Sequence, residues 1–534
     1  MTSLFVPTNY SAGFDWLFDL DTHPPIDHHS VSSATTTTTS FQPTVLPLSG
    51  NEGFHGDEPP TDDCLGFLHD IEFSIPPEDK AYNVDPVALH RILLLLPSVT
   101  DLSTSSLFTV RALRCYLFLF FERFNTMYPL VHRPTFNASR ADPSLLAAMI
   151  LIGAHYAPAA CHQMALRISQ KMWGALISLE GFHAGRATLP MLQALVLTEA
   201  FSSRMASRQQ HEMAHLFHNF IVTLARRNGA FSSSAGRGHH RYAKSHDGWA
   251  LWAKNEERKR ITLFVFILDA QHGALFRHVP ALSAFQLQVD IPCSSAEWQA
   301  QTADEWALLQ HRAKPQRFIS ALKSCLNTSS APPSPSVTAL ASARGSVSQP
   351  ALPYTDIFSR TLLLHGLMSV AYDLRWRQQQ HNQLLADGNG LDSSSSATTR
   401  SHLSAWKQRL LSAMSSLSLP SRGGLDHLDS AHEAFHSISV VAQCIVLYAD
   451  ILELQVYAGL KSVCGQIVDD AMFQATKRSI QRWARTREAG MSVVIAAGFL
   501  ACHFSDGQGG HRTRTWKAER GDDTLHTQWC LYVS

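Results

Sequence analysis

The sequence predicts an all-α protein, and three observations carry that prediction. From about residue 85 onward apolar residues recur in long stripes at helical spacing, while the strict alternation that marks strands is scarce. Helix punctuation is frequent: Asp142 stands where a cap belongs, Pro143 occupies the first helical position, and Leu145 to Tyr156 continue the run. The nine cysteines are scattered without a Cys-x-x-Cys pair, so neither a disulfide framework nor a zinc ribbon replaces a hydrophobic core.

Residues 1–84 stand apart. Thr/Ser runs, prolines and acidic clusters give a composition that buries too little surface to fold alone, so this stretch is expected to be a disordered acidic arm. Thirteen acidic residues and no Lys or Arg precede Lys80; all 44 basic and the other 31 acidic residues follow. The net charge of zero therefore divides into an acidic arm and a basic body, and the arm itself repels nucleic acid. Two islands interrupt it. In the first, Phe14, Leu17 and Phe18 share a helical face, and with Trp16 and Leu20 they read as anchors for a partner's groove, of the kind that activating segments offer to coactivators. The second, residues 62–73, repeats the mixture of acidic and apolar residues and likewise reads as an amphipathic piece that folds into a partner's groove.

The body reads as helices over 86–96, 107–125, 143–157, 162–179, 189–203, 206–228 and 249–276. A Pro/Ser-rich flexible insert at 329–353 separates this first part, 85–328, from a second, 354–504. In the second part helices are expected at 354–385, 402–417, 427–459 and 469–504, with a low-complexity pause at 387–401. Residues 505–534 read as a polar tail, whose end, Trp529 to Tyr532, is either frayed or cut short of a further helix. At 534 residues the chain exceeds one compact core, so two or more structural units are expected. The scattered cysteines fit a reduced intracellular compartment, no signal peptide is evident, and the apolar runs are too short to span a bilayer.

Catalytic signatures are few. No Gly-x-Ser-x-Gly elbow, phosphate loop or complete dinucleotide fingerprint occurs. The sharpest enzymatic candidate is His211-Glu-Met-Ala-His215, a motif that recurs at His432-Glu-Ala-Phe-His436; its histidines share a helical face and could hold zinc while Glu212 activates water. Against it, Met213, Phe217, Phe220 and Leu224 form an apolar stripe that should be the buried face, which turns His211, His215 and His218 toward solvent. A zinc peptidase is thus the remote alternative, no catalytic residue or metal ligand is assigned, and Cys161 and Cys502 read as buried thiols.

A DNA-reading module is also missing from the pattern. Cys64 is the only cysteine before Cys115, which leaves no two-Cys-two-His finger and no six-Cys cluster. The chain itself therefore calls for no cofactor, with zinc entering only through a finger encoded elsewhere. Apart from the pair Arg226-Arg227, two basic tracts remain. Arg237, Arg241 and Lys244 form one, and Arg258, Lys259 and Arg260 the other; both are short enough to serve as nuclear-localisation signals, and the second reads as a solvated face beside Glu256 and Glu257.

Several segments resemble one family. Phe121-Glu-Arg-Phe124 leads into Tyr128-Pro-Leu-Val-His-Arg-Pro-Thr-Phe136; Trp249-Ala-Leu-Trp252 is followed by Glu256-Glu-Arg-Lys-Arg-Ile261 and Phe266-Ile-Leu-Asp269. Pro280-Ala-Leu-Ser283, Leu287 to Pro292, Glu297 to Trp306, Leu447 to Asp450, Leu454 to Gly459 and Trp483 to Arg485 come after them in order. This series, over roughly 85–534, resembles the regulatory domain of fungal-specific transcription factors, in the subgroup that usually carries two-Cys-two-His fingers. The resemblance implies a nuclear, multi-helix regulator of RNA polymerase II genes, pathway-specific and often serving a secondary-metabolite cluster. It would recruit coactivators and reach promoter DNA indirectly, through a finger-bearing partner or a homodimer. An off-DNA helical scaffold or corepressor is the alternative.

Overall fold

A computed structural model describes residues 62–97, 99, 101–179, 187–231, 245–276, 279–309, 316–328, 356–386, 393–418, 448–463 and 466–504. Among these the fold is all-α, with a single two-residue antiparallel pair, Ser462–Val463 against Gln466–Ile467. Residues of the arm before Asp62, the 329–353 insert and the 505–534 tail lie outside the described residues.

The body starts earlier than the sequence suggests. Helix α1, Asp62–Ser74, coincides with the second acidic island, which was expected to wait for a partner's groove. Instead it docks on the protein itself: Cys64 and Leu68 are buried, the Cys115 thiol donates to the Leu68 carbonyl at 3.2 Å, and Arg111 pairs with Glu72 at 2.5 Å. Ile75, Ala81, Tyr82 and Val84 continue into the core. This corrects the arm's boundary, for 62–84 belong to the body. Composition hid it because the compensating surface comes from residues some forty positions later.

Helix α2, Pro86–Leu95, begins at Asp85, whose carboxylate accepts from the Ala88 amide at 2.7 Å. Helix α3, Val110–Leu119, is capped by Thr109 and runs into a π-helical stretch, Phe120–Phe124, and a last turn, Asn125–Met127. One helix was expected over 107–125; the widened turn accommodates Phe120, Phe121 and Phe124 all facing inward.

The centre is formed by α4, Pro143–His155, and α6, Leu189–Arg204, with α5, Ala159–Ile177, beside them. Every residue of α4 from Ser144 to Ala154 is buried, and every residue of α6 from Met191 to Arg204. A helix apolar on all sides has to be enclosed, and α3 and α5 enclose α4. At the α3–α4 contact the backbones nearly touch: a Cβ on Gly153 would stand 1.9 Å from the Tyr116 carbonyl oxygen. Helices α7, Arg208–Arg227, and α8, His246–Phe276, pack on α6. A capping box of Ser207 and Gln210 starts α7.

Short helices α9, Ser295–Gln299, α10, Ala303–Leu309, and α11, Phe318–Thr328, lead to α12, Ile357–Ala386, which lies along α8. Helix α13, Ser393–Ser418, starts inside the stretch expected to pause. After α14, Ile451–Tyr457, the single helix expected at 469–504 is two, α15, Asp470–Trp483, and α16, Arg487–Phe504. The break has a local cause: the Thr486 hydroxyl accepts from the Ala489 amide at 3.2 Å and caps α16 afresh.

Candidate functional site

The motifs that are far apart in sequence meet at one corner. Asn125, just after the paired phenylalanines, is buried and closes the turn behind it: its carbonyl oxygen accepts from the Leu130 and Val131 amides at 2.9 and 3.1 Å, and its amide donates to the Val131 carbonyl at 2.9 Å. That turn delivers His132. Its backbone N–H donates to the Glu257 carboxylate at 2.7 Å and its Nδ1 meets the Thr135 hydroxyl at 2.8 Å. The ring, fully buried, meets Trp249, Trp252 and Trp298 edge-on at 5.7, 5.7 and 4.7 Å between centroids. Trp306 completes this second hydrophobic cluster by packing 5.4 Å from Trp252.

The same corner corrects the solvated-face reading of 258–260. Arg258 is exposed and Lys259 half-buried, but Arg260 is 1 % exposed. Its Nε donates to Glu256 at 3.1 Å, an Nη donates to the Cys293 carbonyl at 3.3 Å, and the guanidinium lies 3.9 Å over Trp298. Lys259 pairs with the other Glu256 oxygen at 2.6 Å. Burial works against the Glu256 charge, but the two cations outweigh it and hold its pKa at about 2. Beside the corner a cleft of about 800 Å³ runs between the 129–134 turn, α9 and the start of α12. Its cations are engaged, Arg260 as above and Arg133 with Asp79 and Glu122 at 2.9 and 3.1 Å.

A second polar centre lies between α6, α7 and α8. Here the sequence reading is overturned: His211 and His218 are buried and His215 half-buried, not turned to solvent. The buried face of α7 runs through Ala214, Phe217, His218, Ile221, Leu224 and Ala225, so half of the expected stripe is inside, while Met213 and Phe220 are only half-buried and His218 takes their place. His211 and His215 do share a side, as the motif requires, but their Nε2 atoms face each other at 2.9 Å and His211 Nδ1 donates to the Ser203 carbonyl at 2.6 Å. His218 sits between two acids, donating to Glu199 at 2.6 Å and to Asp269 at 2.9 Å. Burial alone would strip its proton; the Glu199 charge and both hydrogen bonds overcome this and push its pKa up to about 10. Asp269 also accepts from the Ala281 and Leu282 amides at 2.9 and 2.8 Å, joining two of the sequence motifs. Glu199, the only charged residue between Met191 and Ser203, was the available signal, because a buried acid demands a buried partner.

Of the other residues singled out, Phe14, Trp16, Leu17, Phe18, Leu20, Arg237, Arg241, Lys244, His432, His436 and Cys502 lie outside those whose side chains are described. Cys161 is a buried thiol.

Histidines withdrawn from solvent, His132, His272 and His365 buried and His155 half-buried, set a pH response. Burial lowers His132 and His365 to about 4 and His155 to about 3. A histidine held neutral in the fold contributes stability above its ordinary pKa of about 6.5 and loses it as pH falls below that. Glu257 acts in the opposite sense, since burial raises it to about 7 and its contribution is lost as pH rises. Burial and the neighbouring His218 charge lower His272 as well, so the histidines outweigh Glu257 and stability should fall by at least about 2 kcal/mol per pH unit between pH 6 and 5. Urea midpoints measured at the two pH values check this; equal midpoints contradict it.

These polar groups tie helices to one another, which defines an all-α module whose motif residues are architectural. The chain belongs to the family described as the fungal specific transcription factor domain, whose profile matches residues 117–410. It is 28% identical to a nicotinate catabolism cluster-specific transcription factor of Emericella nidulans, over 80% of this chain and 47% of that protein. It is 24% identical to zinc finger protein klf1 of Schizosaccharomyces pombe, over 97% of this chain and 61% of the relative, and 23% identical to zinc finger protein zas1 of the same yeast, over 51% and 29%. The chain thus spans about half the length of the curated relatives it matches. No solved structure matches it. No helix among the described residues is long and apolar enough to cross a membrane.

Proposed function

We propose that this chain supplies the regulatory body of a nuclear transcription regulator of RNA polymerase II genes, specific to one pathway. The family match over 117–410 is the observation that supports it, and the first relative named above is itself called cluster-specific. A catabolic or secondary-metabolite gene cluster is the kind of target this implies. Two relatives are named as zinc finger proteins, so a finger, on this polypeptide or on a partner, is the means of reading promoter DNA. The acidic arm recruits coactivators through Phe14, Leu17 and Phe18, flanked by Trp16 and Leu20. Nuclear import uses the tract of Arg237, Arg241 and Lys244, with Arg258 as the exposed member of the second tract.

Chromatin immunoprecipitation of the protein tagged at its own locus tests this. Sharp enrichment at a few promoters is expected, with Phe14, Leu17 and Phe18 all changed to Ala keeping those peaks but losing most of the transcript output. No enrichment despite good expression would overturn the reading in favour of an off-DNA scaffold or corepressor. Unchanged output in the triple variant would remove the arm's role alone.

A further inference from the structure

We propose that Glu199, His218 and His272 form a buried binding site for one divalent cation of the zinc class, which staples α6, α7 and α8 together. Each helix contributes one ligand. The three are 0, 4 and 5 % exposed, and their donor atoms all lie within 4.8 Å of one another. Two imidazoles and a carboxylate are a donor set that suits zinc and its borderline neighbours.

The spacing fits with small adjustments. Donors around a tetrahedral zinc stand about 3.3 Å apart, given bonds of about 2.0–2.1 Å. Glu199 Oε1 and His218 Nδ1 are now 2.6 Å apart, and Glu199 Oε1 and His272 Nε2 3.9 Å. One gap has to open and the other to close, each by roughly 0.7 Å.

The surroundings are those of a metal ligand set. The far nitrogen of His218 donates to Asp269 at 2.9 Å, and Asp269 is itself fixed by two backbone amides. A carboxylate behind a histidine in this way orients the ring and raises its basicity toward a metal. His272 is held by its neighbours, stacked on His215 at 4.4 Å and edge-on to His218 at 4.5 Å.

A proton on His218 is the rival occupant of the gap, and it serves both Glu199 and Asp269. It leaves one atom unserved. Glu199 Oε2 is fully buried and has no hydrogen-bond partner, a desolvated carboxylate oxygen that a cation would neutralise. The site is not the one suggested by the sequence motif, since His211 and His215 are turned to each other.

The test is metal analysis of the purified full chain, with cobalt(II) as a spectroscopic probe. About one zinc per chain is expected, with cobalt giving the visible bands of a tetrahedral site. His272→Gln and Glu199→Gln should abolish both, and Asp269→Asn should weaken affinity about tenfold or more. His211→Gln should retain the metal. A folded wild-type chain that takes up neither zinc nor cobalt at micromolar concentration overturns the site in favour of the bridging proton. So does metal that persists in His272→Gln. Should the variants fail to fold, EDTA on the wild-type chain decides: a lowered Tm restored by zinc supports the site, and an unchanged Tm refutes it.

Discussion

Gly153→Ala is expected to destabilise the body by about 3 kcal/mol or more, or to prevent its accumulation as folded protein. Alanine is ordinarily the better helix former, by about 1 kcal/mol, so the sign has to come from packing. The added methyl carbon would lie 1.9 Å from the Tyr116 carbonyl oxygen and 2.6 Å from its carbonyl carbon. Backbone cannot rotate away as a side chain can, so α3 and α4 would have to separate. Both helices are enclosed by others, and the separation would loosen contacts on their far sides as well. Gly174→Ala is the matched control: it also lies inside a helix, α5, with nothing within 4 Å of the new carbon. It should raise stability by up to about 1 kcal/mol. Urea unfolding of both variants reads the difference, and equal effects would refute the close-approach argument.

Arg260→Met is expected to cost about 3–5 kcal/mol, although the replacement is of similar length and apolar. What is lost is compensation. Glu256 is 4 % exposed and would keep only Lys259 and the Cys293 amide, while the Cys293 carbonyl would lose its guanidinium donor. The double variant Glu256→Gln/Arg260→Met should recover part of the loss, because the uncompensated charge is then gone. Arg258→Met, two residues away on the exposed side, should stay within about 0.5 kcal/mol of wild type. A single variant no worse than Arg258→Met would mean that the buried pair contributes nothing net.

The contrast between Arg258 and Arg260 shows where the sequence was readable. Helix positions followed from local chemistry: the cap Asp142 and the apolar runs over 86–96 and 143–157 place α2 and α4 within two residues of their observed bounds. Side-chain fates that depend on distant partners were not local. Arg260 looked solvated because it adjoins Glu256, Glu257 and Lys259, yet positions 256 and 260 continue the stripe of Trp249, Trp252, Ala253 and Phe264. Reading the stripe before the charge would have placed both residues inside. His218 was misplaced for the same reason, since its acidic partners sit on two other helices. The motif corner itself was invisible, for nothing near His132 announces that its amide partner is Glu257.

That last pairing bears on how the protein is made. The 128–136 turn leaves the ribosome long before Trp249, Trp252, Trp298 and Trp306, the side chains that enclose His132. At roughly 5–20 residues per second, on the order of ten to thirty seconds separate the synthesis of His132 from that of Trp306. Throughout that interval the nascent chain carries the 128–136 turn without the full set of tryptophans that encloses its histidine, and translation itself sets the earliest moment at which the corner can close.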